Sequence, residues 1–339
     1  MIKLSFIAFL IGAVSFSALD ENWLSPSQRA QIDSWPDPVY NFAENPISED
    51  GFQLGRKLFY DPMLSRDQTI SCANCHLQYT GFTHVDHAVS HGIEGRKGTR
   101  NSPALINLAW NSSFHWDGGV NHLDVQAINP IEHFAEMDNT LENVLNYVNG
   151  NPEYRSAFFH AFGDSMATSK TLLKAFSQFT TSLVSSDSKY DQYIRGEVGF
   201  TEQEKNGLRL FDNFCNRCHT APLFNSNRYA SNGLPIDTMY NDVGRYAITK
   251  QGSDSLQFRI PTLRNIEHTY PYMHDGRFRK LREVVKHYAE ELDRSNPYLS
   301  EELKSEMKLS ENEQKDLIAF LCTLTDRTFL YNRRYSFPN

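Results

Sequence analysis

The sequence predicts a mainly α-helical protein built as two domains with long irregular connections, and three observations carry that expectation. A five-residue pattern, Cys-x-x-Cys-His, occurs once in each half: as Cys72, Cys75 and His76, and again as Cys215, Cys218 and His219. Apolar residues elsewhere recur at the 3.6-residue period of helices packed on a core. At 339 residues the chain is also long enough for two domains that each bury a core.

The repeated pattern has a specific chemistry. Two thiols with two residues between them can add to the two vinyl groups of one porphyrin, and the adjacent histidine is then placed to bind its iron. A single copy could be a zinc half-site or a redox dithiol. Two full copies use four of the five cysteines, and both carry the histidine that those readings do not need. Two covalently bound haem c groups are therefore expected, in two cytochrome c-like domains. A domain whose core is partly porphyrin needs little sheet.

Composition narrows the partners. Hydrophobic residues at 40% and charged residues at 22% describe a globular chain, and a formal net charge of -8 argues against nucleic acid. The first residues read as a signal peptide over 1–19: Lys3 precedes an apolar run from Leu4 to Val14, with small Ser15 and Ser17 at a cleavage position. The run is short for a bilayer span, although an uncleaved anchor is the alternative. Export suits haem attachment, so a periplasmic location is expected. Cys322, in DLIAFLCTL, reads as a buried helical position.

The N-terminal haem domain is expected over 20–190 and the C-terminal one over 191–339. From Asp20 to Asn45 there is no clear period, which reads as an extended lead-in on the surface. A helix is expected from Ser48 to Phe59, with Phe52, Gly55 and Phe59 on one side and Asp61-Pro62 as its stop. Between His76 and Asn101 lies a glycine-containing loop with His84, His87 and His91, any of which could offer imidazole to an iron. His91 is the best placed of the three. The stretch 100–119, RNSPALINLAWNSSFHWDGG, ends in Phe114, His115 and Trp116 beside a turn; the tryptophan is core packing or an electron relay.

Helical patterns then resume. Asn139 with Glu142 has capping-box spacing before Leu141, Val144, Leu145 and Val148. A second helix follows Pro152 and ends at Gly163, and a third runs from Lys170 to Leu183. Residues 185–199 read as the joint between domains. Thr201 with Glu204 opens a helix that delivers Cys215. Beyond His219 the chain is irregular until QFRIPTLRNIEHTYPYMHDGRF at 257–278, whose Arg259, Arg264 and Arg277 are candidates to neutralise haem propionates. Leu281, Val284, Val285, Tyr288 and Leu292 trace a helical face. Ser310 with Glu313 opens the last strong helix.

Both Cys-x-x-Cys-His motifs, RNSP, FHWDGG, and PTLRN through MHDGRF occur in an order that resembles the bacterial di-haem cytochrome c peroxidases and their relative MauG, over about Phe52 to Thr325. The resemblance implies that the haem on His76 is the peroxide site, with Gln126, Pro130 and Glu136 in its pocket. The haem on His219 would take electrons from a small cytochrome c or cupredoxin and pass them across Trp116. It also implies calcium between the domains, held by the Asn101 side chain and the carbonyls of Thr269 and Pro271, and often a homodimer. Oxygen ligands suit that ion. Glu136 would move a proton between the peroxide oxygens.

One departure is informative. Fourteen residues after His274, where peroxidases of this kind place a methionine on the second iron, the chain has Tyr288, as MauG does. Tyr288 is either that ligand or an inward-facing aromatic, with the site open or ligated by Met239 or Met273. His91 is either a releasable ligand of the first iron, or that iron is open. The expectation is an exported di-haem peroxidase that reduces hydrogen peroxide to water. The alternatives are a MauG-like oxidase of a protein or small molecule, and a non-catalytic electron carrier.

Overall fold

The computed structural model describes residues 24–338, so the expected signal peptide lies outside the described residues. The architecture is helical, with a single two-stranded antiparallel pair among the described residues, Tyr229–Ala230 with Phe258–Arg259. None of the described helices is long and apolar enough to cross a membrane.

Each half is organised on a pair of crossed helices. In the first, Glu49–Tyr60 starts where the Ser48 hydroxyl accepts from the Gly51 amide at 3.0 Å, and it buries Phe52, Leu54, Leu58 and Phe59. It crosses Ser169–Thr181 at Gly55, where an added Cβ would sit 2.0 Å from the Ala175 carbonyl oxygen. In the second, Glu202–Phe214 crosses Glu311–Cys322 at Gly207, where a Cβ would sit 2.0 Å from the Asp316 carbonyl oxygen. Both crossings need backbone in contact with backbone, and glycine permits that approach. Both helices of the second pair open with the reciprocal caps expected: Thr201 N donates to Glu204 Oε2 at 2.7 Å, and Ser310 N to Glu313 Oε2 at 2.9 Å.

Leu210, Phe211, Phe224, Leu317, Phe320 and Leu324 fill the second core. The first half has two: one around Leu58, Val144, Val148, Tyr154, Phe158 and Leu172, the other around Phe52, Phe59, Phe82 and Phe179. Pro152–Phe162 ends at left-handed Gly163 as expected. The preceding helix, Leu141–Gly150, is capped by Thr140 rather than Asn139, because Asn139 Oδ1 accepts from Thr140 N and Asn143 Nδ2.

Both ends of the described chain depart from the expected plan. The lead-in contains a helix, Pro26–Ile32, and packs inward: Leu24, Trp35, Trp110, Val184 and Leu223 share a cluster at the seam between halves. Residues after Asp326 return to the first half. There Phe329 meets Phe82 at 5.8 Å between ring centroids, and Tyr335 donates to the Ser182 carbonyl at 2.9 Å. Cys322 is only half-buried, at the end of its helix.

Candidate active site at the two Cys-x-x-Cys-His motifs

Cys72–Cys75 is a single helical turn. Asn74, inside the motif, holds it from the front, its Oδ1 accepting from Ser71 N at 2.8 Å. The following His76 lies with Nδ1 at 2.7 Å from the Phe82 carbonyl. A carbonyl can only accept, so Nδ1 carries the proton and the Nε2 lone pair is left for a metal. Burial pushes this imidazole down to about 4, which keeps it neutral. His219 repeats the arrangement, with Nδ1 at 3.0 Å from the Pro261 carbonyl and burial again pushing it down to about 4. The four motif cysteines are unpaired thiols. Burial drives Cys72 and Cys215 up to about 12. Neutral imidazoles with one free nitrogen, each beside two uncommitted thiols, fit covalent haem.

A third observation agrees with that fit and corrects part of the arginine reading. Arg264 is fully buried, but both its Nη atoms donate to the Asp191 carboxylate at 2.8 Å, and its Nε to the Pro222 carbonyl at 2.8 Å. Arg277 donates from Nε to Asp275 at 2.7 Å. These two are already neutralised by protein carboxylates. Arg259 is 7% exposed and has no carboxylate among its partners; its Nε reaches the His115 carbonyl at 3.3 Å, and burial holds its guanidinium below the usual value. A buried cation of this kind needs an anion, and a propionate supplies one.

Gln126, Pro130 and Glu136 are brought together in one compact segment. Gln126 closes the turn Leu123–Val125 and its carbonyl accepts from Asn129 N at 3.3 Å; the Pro130 carbonyl accepts from Met137 N at 3.1 Å. The Glu136 carbonyl accepts from Ile93 N at 2.9 Å, which ties the segment to the histidine loop. That loop approaches closely at Gly92, where a Cβ would lie 2.3 Å from the Glu136 carbonyl oxygen. The Glu136 carboxyl is raised above the ordinary carboxylate range by desolvation, opposed by His133, whose Nδ1 is 3.8 Å away. Its charge is felt at both Cys72 and Cys75, which locates it beside the first motif.

His91 reaches the same motif by its backbone: its carbonyl is 3.4 Å from Cys75 Sγ. Its ring instead lies 3.9 Å from that of His87, which also stacks on His84 at 5.0 Å, and its Nδ1 is 3.1 Å from the Val89 carbonyl. The loop is bonded down, with Ser90 N to the Arg100 carbonyl at 2.9 Å and Gly98 N to the Ser90 carbonyl at 2.8 Å.

Trp116 sits on the seam. Its indole Nε1 donates to the Asn101 carbonyl at 2.8 Å, and its own carbonyl accepts from Arg259 N at 2.7 Å. A charged clamp surrounds it. Arg100 donates to Asp117 at 2.6 Å and, bidentate, to Asp242 at 2.6 and 2.8 Å, so one guanidinium bridges the halves. Sequence reasoning passed over Arg100 and Asp117 although both lie inside its own RNSP and FHWDGG motifs; Asp242, far along an irregular stretch, carried no signal.

Asn101 is buried, and its side-chain amide is in contact with the Pro271 carbonyl and 3.5 Å from that of Met273. Turning the amide would present Oδ1 at the same point. Among the described residues nothing donates to the Thr269 carbonyl. This oxygen-rich corner fits a hard cation such as calcium.

At the second motif, Tyr288 lies in a π-helical turn, His287–Glu291, with its hydroxyl within electrostatic range of Cys215 and Cys218. Burial pushes that phenol up to about 12, and the Asn232 side chain, a hydrogen-bond partner, opposes the rise. Met239 is 79% exposed, and Met273 Sδ accepts from Asn232 Nδ2 at 3.3 Å. Asn232 was not anticipated.

Comparison with known proteins agrees with the geometry. The family described as di-haem cytochrome c peroxidase matches residues 49–199, and cytochrome c matches 204–325. The chain is 36% identical over 260 residues to cytochrome c551 peroxidase of Pseudomonas aeruginosa, covering 74% of this chain and 75% of that protein. It is 33% identical over 296 residues to the methylamine utilization protein MauG of Methylorubrum extorquens, covering 85% and 82%. Among solved structures, a MauG-like protein associated with microbial copper homeostasis superposes with a TM-score of 0.82 at 32% identity, covering 90% of this chain and 97% of that one.

Proposed function

The chain belongs to the di-haem cytochrome c peroxidase family, and from that premise we propose that it is an exported, periplasmic enzyme reducing hydrogen peroxide to water. Its electrons would come from a small cytochrome c or cupredoxin, and a second copy of the chain is its proposed partner in a homodimer. The balance is one peroxide, two electrons and two protons to two waters.

When bound, the haems supply redox-active iron; the chain's residues hold them and move the proton. Cys72 and Cys75 would anchor the first and Cys215 and Cys218 the second, with the Nε2 atoms of His76 and His219 left free for iron by the carbonyls at their Nδ1. Peroxide needs its proton moved from the inner to the outer oxygen before the bond can break heterolytically. Glu136 takes and returns that proton, its raised pKa bringing the carboxyl nearer working pH. Gln126 orients the peroxide, and Pro130 shapes the pocket. Trp116, bonded to both halves, would relay electrons from the second haem to the first. Calcium on Asn101, Thr269 and Pro271 would stiffen the residues that hold that indole, and His91 is the group that would cover or uncover the first iron.

The raised, half-buried Glu136 carboxyl beside Cys72 and Cys75 carries this reading. Steady-state turnover of peroxide with reduced cytochrome c tests it. Absence of turnover, with and without prior reduction and added calcium, would overturn it.

Tyr288 supports a second reading, a MauG-like oxidation of a protein or small molecule. A phenolate ligand stabilises ferric and higher states, which favours holding oxidising equivalents over releasing an electron. An oxidised spectrum unchanged in Tyr288→Phe would remove it.

A further inference from the structure

Tyr40, in the stretch read from the sequence as a surface lead-in, has its hydroxyl held by two side chains. Its Oη donates to Asp124 Oδ1 at 2.6 Å, and buried Asn45 donates from Nδ2 to the same Oη at 2.8 Å. The Tyr40 amide donates to the Ala109 carbonyl at 2.9 Å, which fixes the residue from its backbone. A hydroxyl this close to a carboxylate makes the short, charge-assisted kind of bond. Burial, and after it Asp124, push the phenol above its ordinary value, so it stays a protonated donor.

The setting gives that bond a use beyond fastening the lead-in. Tyr40 packs against a buried cluster of Leu108, Phe114, Val120 and Leu123. Phe114 stands just ahead of His115 and Trp116, and Leu123 opens the turn that Gln126 closes. The phenol thus touches both stretches that serve the first haem in the proposed function. Its carboxylate partner also faces a cavity. Asp124 and His122, whose ring is 6.2 Å from that of Tyr40, line a space of about 610 Å³ together with Val125, Leu173 and Lys170. That is the size of a small-molecule site. Val125 and Leu173 offer apolar surface to a ring, and His122 and Lys170 offer donors to an oxygen on it. A proton placed on Asp124 has a way out to water through the same cavity.

We infer that Tyr40, with Asp124 as its proton acceptor, is a redox-active tyrosine through which small phenolic reductants bound in this cavity supply electrons to the first haem. The inference rests on peroxide reduction at that haem, which provides the oxidant. In the first step Tyr40 loses one electron to the haem after its reaction with peroxide, and its hydroxyl proton crosses the 2.6 Å bond to Asp124, leaving a neutral tyrosyl radical. Asn45 Nδ2 stays as a donor to the oxygen that has lost its proton. In the second step a phenol in the cavity gives up one electron and releases its own proton to water, while Asp124 returns its proton to Tyr40. Two rounds convert one peroxide and two phenols into two waters and two phenoxyl radicals. This entry bypasses the second haem and needs no donor protein.

The test uses holoprotein of matched haem content, as parent, Tyr40→Phe and Asp124→Asn. Tyr40→Phe keeps the ring in its cluster and removes only the hydroxyl; Asp124→Asn keeps the shape and removes the proton acceptor. Each is mixed with peroxide in the absence of a donor protein, freeze-quenched and examined by electron paramagnetic resonance, with ring-deuterated tyrosine identifying a tyrosyl signal. Turnover of peroxide is then measured with guaiacol and, separately, with reduced cytochrome c. The parent is expected to show the radical and to oxidise guaiacol. Tyr40→Phe should lose the radical and most guaiacol turnover while keeping cytochrome c turnover, and Asp124→Asn should lose the radical. A parent without radical or guaiacol turnover, or either variant with a radical of parent intensity, or guaiacol turnover unchanged in Tyr40→Phe, overturns the inference and leaves peroxide reduction standing. A parent that turns over no peroxide even with reduced cytochrome c removes the reading beneath it, and the inference falls with that reading.

Discussion

Replacing Glu136 by glutamine removes the proposed proton carrier of the first pocket while keeping its volume and a hydrogen-bonding end. Gln126 and the tie between Ile93 N and the Glu136 carbonyl, 2.9 Å, are untouched, so peroxide should still be positioned. The loss then falls on kcat. A positioned acid-base group contributes about 10²–10⁴-fold, and a loss near the middle, about 10³, corresponds to about 4 kcal/mol of barrier. The pH profile gives a second readout. Desolvation holds the carboxyl above its ordinary value, and it must be ionised to take the first proton. Parent kcat/KM should therefore fall as pH drops through that raised value, and Glu136→Gln should lack this acidic limb. The sign for stability runs the same way. A carboxyl with a raised folded-state pKa favours the folded state at low pH and loses that contribution as pH rises through it, so the glutamine variant should be no less stable at neutral pH. The assay is oxidation of reduced cytochrome c by peroxide across pH, with haem content matched. Activity within about tenfold of the parent, or an acidic limb that persists, would refute the reasoning.

Other perturbations have equally definite outcomes. Gly207→Ala places a Cβ where the Asp316 carbonyl oxygen is 2.0 Å away, which should separate the crossed helices and cost about 1–3 kcal/mol, read as a lower Tm. Asp191→Ala leaves Arg264 buried without its carboxylate and should destabilise by about 3–5 kcal/mol, measured by denaturant unfolding of the holoprotein. Arg259→Met removes a buried cation with no protein carboxylate; a cation stabilises the added electron, so a haem reduction potential should fall, and an unchanged spectroelectrochemical titration would exclude propionate pairing. Chelation of the proposed calcium, or Asn101→Ala, should loosen the seam that holds the Trp116 indole through its 2.8 Å bond to the Asn101 carbonyl and slow electron transfer between the haems.

Most of the helices could be read from the chain because their causes are local. Thr201 with Glu204 and Ser310 with Glu313 cap their helices through bonds between residues three apart, and Gly163 ends its helix by its own left-handed conformation. The cap at Thr140 was misread by one residue because two adjacent side chains could both serve, and Asn139 Oδ1 is spent on Thr140 N. The motifs pointed to haem c through covalent chemistry that spacing alone encodes, and the family matches agree on that cofactor. What escaped was set by partners distant in sequence. Arg264 looked available until the fold brought Asp191 to it, and Asn232 stands in an irregular stretch whose neighbours, Met273 and His287, come from elsewhere in the chain. Trp35 read as part of a surface lead-in, yet Arg264 lies 4.7 Å over its ring.

In the proposed function the two motifs carry unequal irons, with His76 on the one that meets peroxide and His219 on the one that delivers electrons. The spin state and axial ligation of each haem in oxidised and half-reduced protein test this directly. An iron on His76 that binds cyanide or peroxide once a single electron has been added, beside a second haem that keeps a protein ligand, is the predicted result. Two haems that remain six-coordinate and low-spin in both states, with no response to peroxide, would contradict it.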